Sequence, residues 1–498
     1  METLNSRCKT VGGFFMSIWT KDYKIEARPA LDKNIETDVA VIGGGMAGIL
    51  IAKLLKDSGM EPIVVEADKV GGGNTAGTTA KITVQHGLTY ADIAKTMGLV
   101  AAQKYADANK DALGRFIKLA KGIDCDFRQC PAYVYTLRDT DILERERDTA
   151  EMVGIQAEVT TKTELPFPVE GALKFEGQAT FHPLKFLQEI SRDLTVYEQT
   201  QASEVKDGVI DAAGGKIKAK HIVVATHYPF INFPGYYFLR MHQSRTYMLA
   251  LENAATIDGM YIDEDEGGNT FRGYGDILLF GGEGHRTGRN KLSGRYERLV
   301  KAAQKYYPSS REIARWSAQD CVTQDKIPFI GEYSMFSPNM YVATGFRKWG
   351  MTGSMVAAII ISSLISGKGK VPEYADLFNP ARFNAKASGK GLSKDVRQIA
   401  AGFALRAAPS EEDNPEAIPK GCAAIVTING EKRGLYKDEG GKLYAVSVKC
   451  PHLGCQLSWN PDELSWDCPC HGSRFTYDGK RIDGPAEEND ISRPCPKN

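Results

Sequence analysis

Two half-motifs near the C-terminus, Cys450-x-His452 and Cys468-x-x-His471, set the strongest constraint on how this chain folds. Neither can enclose a metal alone, so two loops must meet over one centre. Two thiolates and two imidazoles in that order match a [2Fe-2S] centre with sulfur ligands on one iron and nitrogen ligands on the other. They match tetrahedral zinc equally well. Zinc leaves unexplained the second pair, Cys455 and Cys470, and the run Cys-Pro-Cys-His-Gly-Ser ending at Ser473. In an iron-sulfur centre, neutral imidazoles in place of anionic thiolates repel an added electron less. The reduction potential then rises to roughly −150 to +300 mV.

This stretch resembles the Rieske proteins of cytochrome bc complexes. The resemblance implies that Cys450, His452, Cys468 and His471 ligate the cluster and that a Cys455–Cys470 disulfide joins the two loops. It also implies that the Ser473 hydroxyl donates to a cluster sulfur. Where those high-potential proteins carry a tyrosine this chain has Phe475, which has no hydroxyl, so a lower potential is expected. Those relatives are membrane anchored, whereas the most apolar run here, Val356 to Ile365, is too short for a spanning helix. The N-terminus lacks an adequate apolar core for a signal peptide. A soluble, cytoplasmic protein is expected, with a disulfide that is an exception for that compartment. Sixty-two basic residues balance sixty-two acidic ones. With no net charge to attract nucleic acid or anionic lipid, the expected partners are small molecules or other proteins.

A chain of 498 residues has room for several domains. The second strong signal begins at Thr37. A buried strand (Val39 to Ile42), a glycine turn, a helix (about Ala47 to Ser58) and a second strand (Pro62 to Val65) end at Glu66. Gly43, Gly45 and Gly48 hold the G-x-G-x-x-G positions, which permit the tight turn, pyrophosphate approach and close helix–strand packing, respectively. Glu66 stands where a carboxylate binds ribose hydroxyls. A dinucleotide site is expected. After Glu66 comes a glycine- and threonine-rich loop, Val70 to Ile82, instead of the strand and helix alternation of a nicotinamide domain.

Together with the strand His221 to Thr226 and the strand–turn–helix from Asn339 to Gly367, these residues resemble D-amino-acid oxidase and glycine oxidase, within the FAD-dependent oxidoreductases, over about Ile35 to Leu377. The resemblance implies FAD on the first glycine motif, with Glu66 on the adenosine ribose and Val205 on the adenine through its backbone. Thr78, Thr79 and Lys81 would run along the flavin. The turn holding Gly345, Gly350, Met351 and Thr352 would close on its ring system. His227 replaces the glycine that usually follows the Ala225-Thr226 pair.

The expected architecture is an α/β FAD-binding domain of Rossmann type with an α+β substrate domain, together residues 35–388, followed by a small all-β Rieske domain. The substrate domain takes about Lys81 to Gln201 and Phe230 to Asp320, with helical periodicity over Ala101 to Lys121 and strands at Tyr133 to Leu137, Tyr247 to Leu251 and Asp276 to Gly282. No second G-x-G-x-x-G follows a strand there, so no nicotinamide site of the glutathione-reductase type is expected. Residues 389–414, rich in proline and acids towards their end, are expected to be a linker. Residues 415–498 carry short alternating strands suited to a small antiparallel barrel.

A flavin carries its own redox chemistry, so the residues around it position substrate and tune the ring. Lys81 and Arg347 are the candidate catalytic residues: Lys81 as a cation beside the flavin, Arg347 (or its neighbours Lys348 and Trp349) against a substrate carboxylate. Each is equally at home as solvated surface charge. His86 is a candidate pocket residue or an ordinary bonded histidine; Arg240, His242 and Arg245 are candidates for substrate contact or a solvated strand face. Cys125, Cys130 and Cys321 are expected to be packing residues.

The expected function is oxidation of a small substrate at FAD, at a C–N bond of an amine or amino acid. Electrons then pass singly between flavin and a Rieske [2Fe-2S] cluster to a protein or small-molecule acceptor. This combination resembles the bacterial FAD-dependent oxidoreductases with a C-terminal Rieske domain. The alternative is an electron-transfer flavo-iron-sulfur protein shuttling between protein carriers. A Rieske oxygenase needs a mononuclear iron on two histidines and a carboxylate. His86, His182, His221, His227, His242 and His285 offer no closely spaced pair with a nearby acid.

Overall fold

The computed structural model describes residues 16–265, 267–289, 293–382, 384–407, 415–486 and 490–495. Its first sheet is built on the strand Ile35–Ile42, whose last four residues are fully buried. Burial on both faces is what a parallel strand covered by helices requires. Across the sheet the order is Phe329–Glu332, Met340–Thr344, Gly215–Val224, Ile35–Ile42, Pro62–Val65 and Thr195–Tyr197. All neighbours are parallel except the first pair. The helices Met46–Asp57 and Gly350–Ser366 pack together against this sheet. Gly350–Ser366 has apolar residues all round because it is buried all round, despite its resemblance in composition to a membrane segment. Among the described residues no helix is long and apolar enough to cross a membrane.

The second sheet belongs to the substrate domain. It runs in the order Arg311–Thr323, Met241–Glu252, Ile277–Arg286, Thr270–Tyr274, Met260–Asp263, Arg128–Thr136, Gly171–Thr180 and Lys81–Ile82. The helix expected over Ala101 to Lys121 spans Leu99–Ala120.

In the C-terminal domain the expected barrel resolves into two antiparallel sheets. One holds Cys422–Ile428, Glu431–Lys437, Leu443–Ser447 and Ser492–Arg493; the other holds Ser458–Asn460, Ser465–Asp467, Arg474–Thr476 and Arg481–Asp483. Trp466 and Phe475 fill the core beneath the cysteines.

The segment expected to be a linker differs most from its sequence reading. It is helical over Ala385–Ala407; residues 408–414 lie outside those described. Among its described side chains the buried ones include the polar Ser388, Asp395 and Gln398. Ile399 packs on the core of the cluster domain. Gly402 passes so close to the disulfide that a Cβ there would lie 2.9 Å from Cys470 Sγ. The helix thus ties the flavin domain to the cluster loops, through small and polar side chains that periodicity does not detect.

Candidate functional site

The glycine turn opens a cavity of about 1780 Å³. That exceeds the roughly 300–1,000 Å³ of ordinary small-molecule pockets and leaves room for a dinucleotide with a second ligand. Gly43 has φ +112°, and a Cβ there would lie 2.5 Å from Ala225 O. Gly48 packs helix on strand, since its Cβ would lie 1.9 Å from Gly43 O. Gly45 instead borders the cavity, where a pyrophosphate could meet bare backbone. Thr75 Oγ1 accepts from Met46 N at 3.0 Å and holds the threonine-rich loop against the helix start.

Glu66 borders the cavity and accepts from Gly44 N (2.7 Å) and Asp68 N (2.9 Å). Burial pushes its carboxyl up, against those two bonds. At this end the wall is made by Thr200, Gln201, Ala202 and Ser203. Val205, the residue expected to touch adenine, is not on it. The hairpin pairing of Val205 with Ile210 carries it away from the cavity rim and onto the sheet's apolar core. The candidate adenine contact therefore moves to Gln201–Ser203.

At the other end Gly350 and Met351 bring the start of the long helix to the cavity, and Thr78 and Thr79 border it as expected. Gly345 and Thr352 do not line it. Gly345, at φ +79°, turns the chain against Thr323. Thr352 Oγ1 lies 3.0 Å from His86 Nε2, and His86 Nδ1 lies 2.7 Å from Tyr105 Oη. The imidazole stacks on Trp349 with centroids 4.6 Å apart. Burial lowers its pKa to about 3. His86 is thus a fixed, neutral ring that positions Trp349 on the cavity wall. Arg347 also lines the cavity, and its Nη1 donates to Thr89 Oγ1 at 3.4 Å. Arg347 and Lys348 are both left-handed (φ +49° and +69°), so the turn is held in a conformation that non-glycine residues rarely adopt.

Lys81 is half-buried on the cavity wall, where Nζ donates to Thr270 Oγ1 and to Tyr261 O. Both partners are neutral. Burial first, and the Arg272 charge second, bring its pKa down to about 7. The unfolded chain keeps a lysine near its ordinary value of about 10.4. Between these values the unfolded state binds more protons, so stability rises with pH across that window. Lys81→Met should therefore stabilise the protein below pH ~7, and the gain should shrink to nothing towards pH ~10. Thermal unfolding of both proteins across that range measures it; a pH-independent difference would contradict it.

The other sequence candidates are held in pairings of their own, although His242 and Arg245 also border the cavity. Arg240 lies over the Phe329 ring (4.1 Å) and donates to Pro380 O. His242 stands 3.4 Å from Asp395. Arg245, only 1% exposed, donates to Glu463 of the cluster domain at 2.7 Å.

In the cluster loops His452 Nδ1 and His471 Nδ1 converge to 3.1 Å, close enough to share one metal ion. His452 Nε2 faces away, 2.8 Å from Asn232 Oδ1, an outer partner that would fix the tautomer leaving Nδ1 as the candidate ligand atom. The Cys450 and Cys468 thiols lie within hydrogen-bonding reach, and that mutual bond holds Cys450 up and Cys468 down. Ser473 bonds to Cys450 as well and accepts from Ala486 N at 3.1 Å. Cys455 and Cys470 are joined as a disulfide beside Cys468. These thiols and imidazoles fit a [2Fe-2S] cluster.

Sequence reasoning missed the seam between the domains. Gln243 Nε2 donates to His471 O (2.8 Å), and Gln319 Nε2 donates to Gly472 O (2.9 Å) and to Asp483 (3.1 Å). Both glutamines sit on paired strands of the substrate sheet. Residues alternate faces along a strand. Hence Gln243 meets the cluster loop while its neighbours His242 and Ser244 border the cavity. The cluster domain itself closes part of that cavity, through Arg481 to Ala486. No motif or spacing signals these contacts.

Comparison with known proteins agrees with this geometry. Residues 38–364 match the family model for FAD dependent oxidoreductases, and residues 411–494 match the Rieske [2Fe-2S] domain. YhfW of Bacillus subtilis, named for a Rieske 2Fe-2S iron-sulfur centre, is 36% identical over 491 residues, 94% of this chain and 95% of that protein. The fold of the first domain is also that of glycine oxidase from Geobacillus kaustophilus (TM-score 0.59, 18% identity, 70% of this chain and 99% of that one). L-proline dehydrogenase from P. horikoshii shares it too (TM-score 0.57, 18% identity, 71% and 98%). The chain belongs to the FAD-dependent oxidoreductase family, in the form that carries a C-terminal Rieske domain. It is an enzyme that binds FAD and a [2Fe-2S] cluster, which removes the zinc reading.

Proposed function

We propose that this enzyme oxidises a small amine or amino acid at a C–N bond and passes the electrons singly to its Rieske cluster, which delivers them to a separate acceptor. The observation that carries this reading is the seam: Gln243 bonds the backbone of the ligand His471 while the residues on either side of it border the flavin cavity. Bound FAD supplies the two-electron oxidation and the one-electron release.

The chain's own residues prepare the site. Gly43, Gly45 and the start of Met46–Asp57 would hold the pyrophosphate, and Glu66 the ribose. His86 is neutral at neutral pH and so is no cationic acid there; its stacked ring orients Trp349. Lys81, poised near pH 7 on neutral partners, can hold or release a proton at Nζ beside the substrate. Arg245 is neutralised by Glu463; Arg347 and Lys348, in the turn at the flavin end of the cavity, are the candidates to meet a carboxylate on the substrate.

The test is anaerobic mixing of the loaded enzyme with primary amines, secondary amines and amino acids while flavin absorbance is followed. Bleaching by at least one of these classes is expected. A flavin that ignores all of them but is reduced rapidly by a protein carrier would replace this reading with the electron-shuttle alternative.

A further inference from the structure

Asn232 belongs to a segment of the flavin domain, residues 228–238, that reaches over the two candidate ligand histidines. Its Oδ1 lies 2.8 Å from His452 Nε2, across 220 positions of sequence. Two rings of the same segment stand edge-on to the imidazoles. Tyr228 is 6.5 Å from His452 between ring centroids, and Phe238 is 6.3 Å from His452 and 5.9 Å from His471. The segment is pinned to its own domain: Tyr333 Oη donates to Ile231 O, and Tyr237 Oη donates to Tyr333 O at 2.8 Å. Tyr236 N closes a turn on Asn232 O at 3.0 Å. The amide is thus held in place by the flavin domain and presented to the ring of the cluster domain.

The chemistry of this contact has one direction. A metal on Nδ1 leaves a neutral imidazole with its proton on Nε2, so Nε2 donates and the amide oxygen accepts. Giving up that hydrogen bond leaves more electron density on the ring and makes it a more basic ligand. A more basic ligand favours the oxidised iron, so the bond lowers the cluster potential. His471 supplies a contrast within the same pair: its Nε2 is buried and has no hydrogen-bond partner among the described residues. Gln243 bonds His471 only through the backbone carbonyl, not through the ring.

We infer that Asn232 is a positioning residue that reaches across the domain seam, orients the His452 ring for ligation through Nδ1 and sets the cluster potential below the value that the cluster loops alone would give. The cluster's affinity for an electron then depends on its seat against the flavin domain, and a cluster displaced from that seat is the stronger oxidant. The inference rests on ligation by His452 and not on the nature of the substrate, so a flavin that ignores every amine leaves it standing.

The test is a pair of variants, Asn232→Leu and Asn232→Asp, in the full chain loaded with FAD and cluster. Redox titrations at one fixed pH follow the cluster by EPR and the flavin by absorbance. Leucine accepts no hydrogen bond, and its cluster should be about tenfold easier to reduce, a rise of ~59 mV for one electron. Aspartate keeps the shape and accepts a stronger, charge-assisted bond, so its cluster potential should fall below that of the parent. The flavin potential should stay where it was in both, because Asn232 does not line the flavin cavity. An unmoved cluster potential in the leucine variant, or shifts of the same sign in the two variants, would overturn the inference, since mere loosening of the seam does not distinguish an absent acceptor from a stronger one.

Discussion

Glu463→Ala should cost about 3–5 kcal/mol and loosen the cluster domain from the flavin domain. The Glu463 carboxylate accepts from Arg245 at 2.7 Å and pairs with Arg474 at 3.0 Å. Ser317 Oγ and Asn460 Nδ2 donate to it as well. These charged side chains are nearly inaccessible, with the Arg245 side chain 2% exposed and those of Glu463 and Arg474 7%. Removal of one carboxylate leaves two guanidiniums sharing a dry seam. Arg474 keeps Asp467 at 3.1 Å, whereas Arg245 keeps only neutral partners among those described, Ser317 and Gln319. The penalty therefore falls mainly on Arg245, at the seam. Denaturant unfolding should show the loss, together with proteolysis between the domains that the parent resists. A variant as stable as the parent would mean that water reaches the network.

The second large effect is at the cluster. Cys468→Ala removes a buried thiol of the proposed ligand set, and the Rieske EPR signal should disappear. The glycine turn and Glu66 lie in a different domain, so FAD binding and reduction by substrate should persist as long as the cluster domain keeps its fold. Delivery of electrons to a one-electron acceptor should fall by more than the roughly 10–100-fold typical of losing an outer-shell partner. Turnover at the parent rate with such an acceptor would show that electrons leave the flavin directly.

These effects lie on two levels of legibility. The dinucleotide turn can be read from its residues because Gly43 and Gly48 are required by contacts within one strand–turn–helix unit. The candidate ligand set comes from the same kind of local signal: short loops hold their chemistry in adjacent residues. The seam is not. Arg245 and Glu463 are 218 positions apart, and Gln243 and His471 are 228 apart, so each looks like an ordinary polar residue until the sheets place them together. Ala385–Ala407 is hidden for another reason, because among its described side chains the buried ones include Ser388, Asp395 and Gln398, with Gly402 against the disulfide. Val205 shows a third cause. The hairpin register decides which residue reaches the rim, and a shift of a few positions moves the candidate contact to Gln201–Ser203.

The central claim is that two electrons taken at the flavin cavity cross the seam to the cluster within one molecule. Rapid freeze-quench EPR tests it most directly, with the oxidised enzyme mixed anaerobically with a substrate that bleaches the flavin. The account predicts a Rieske signal that grows in step with flavin bleaching at a rate independent of enzyme concentration. A cluster that stays oxidised while the flavin is fully reduced, or one whose reduction rate scales with enzyme concentration, would contradict it.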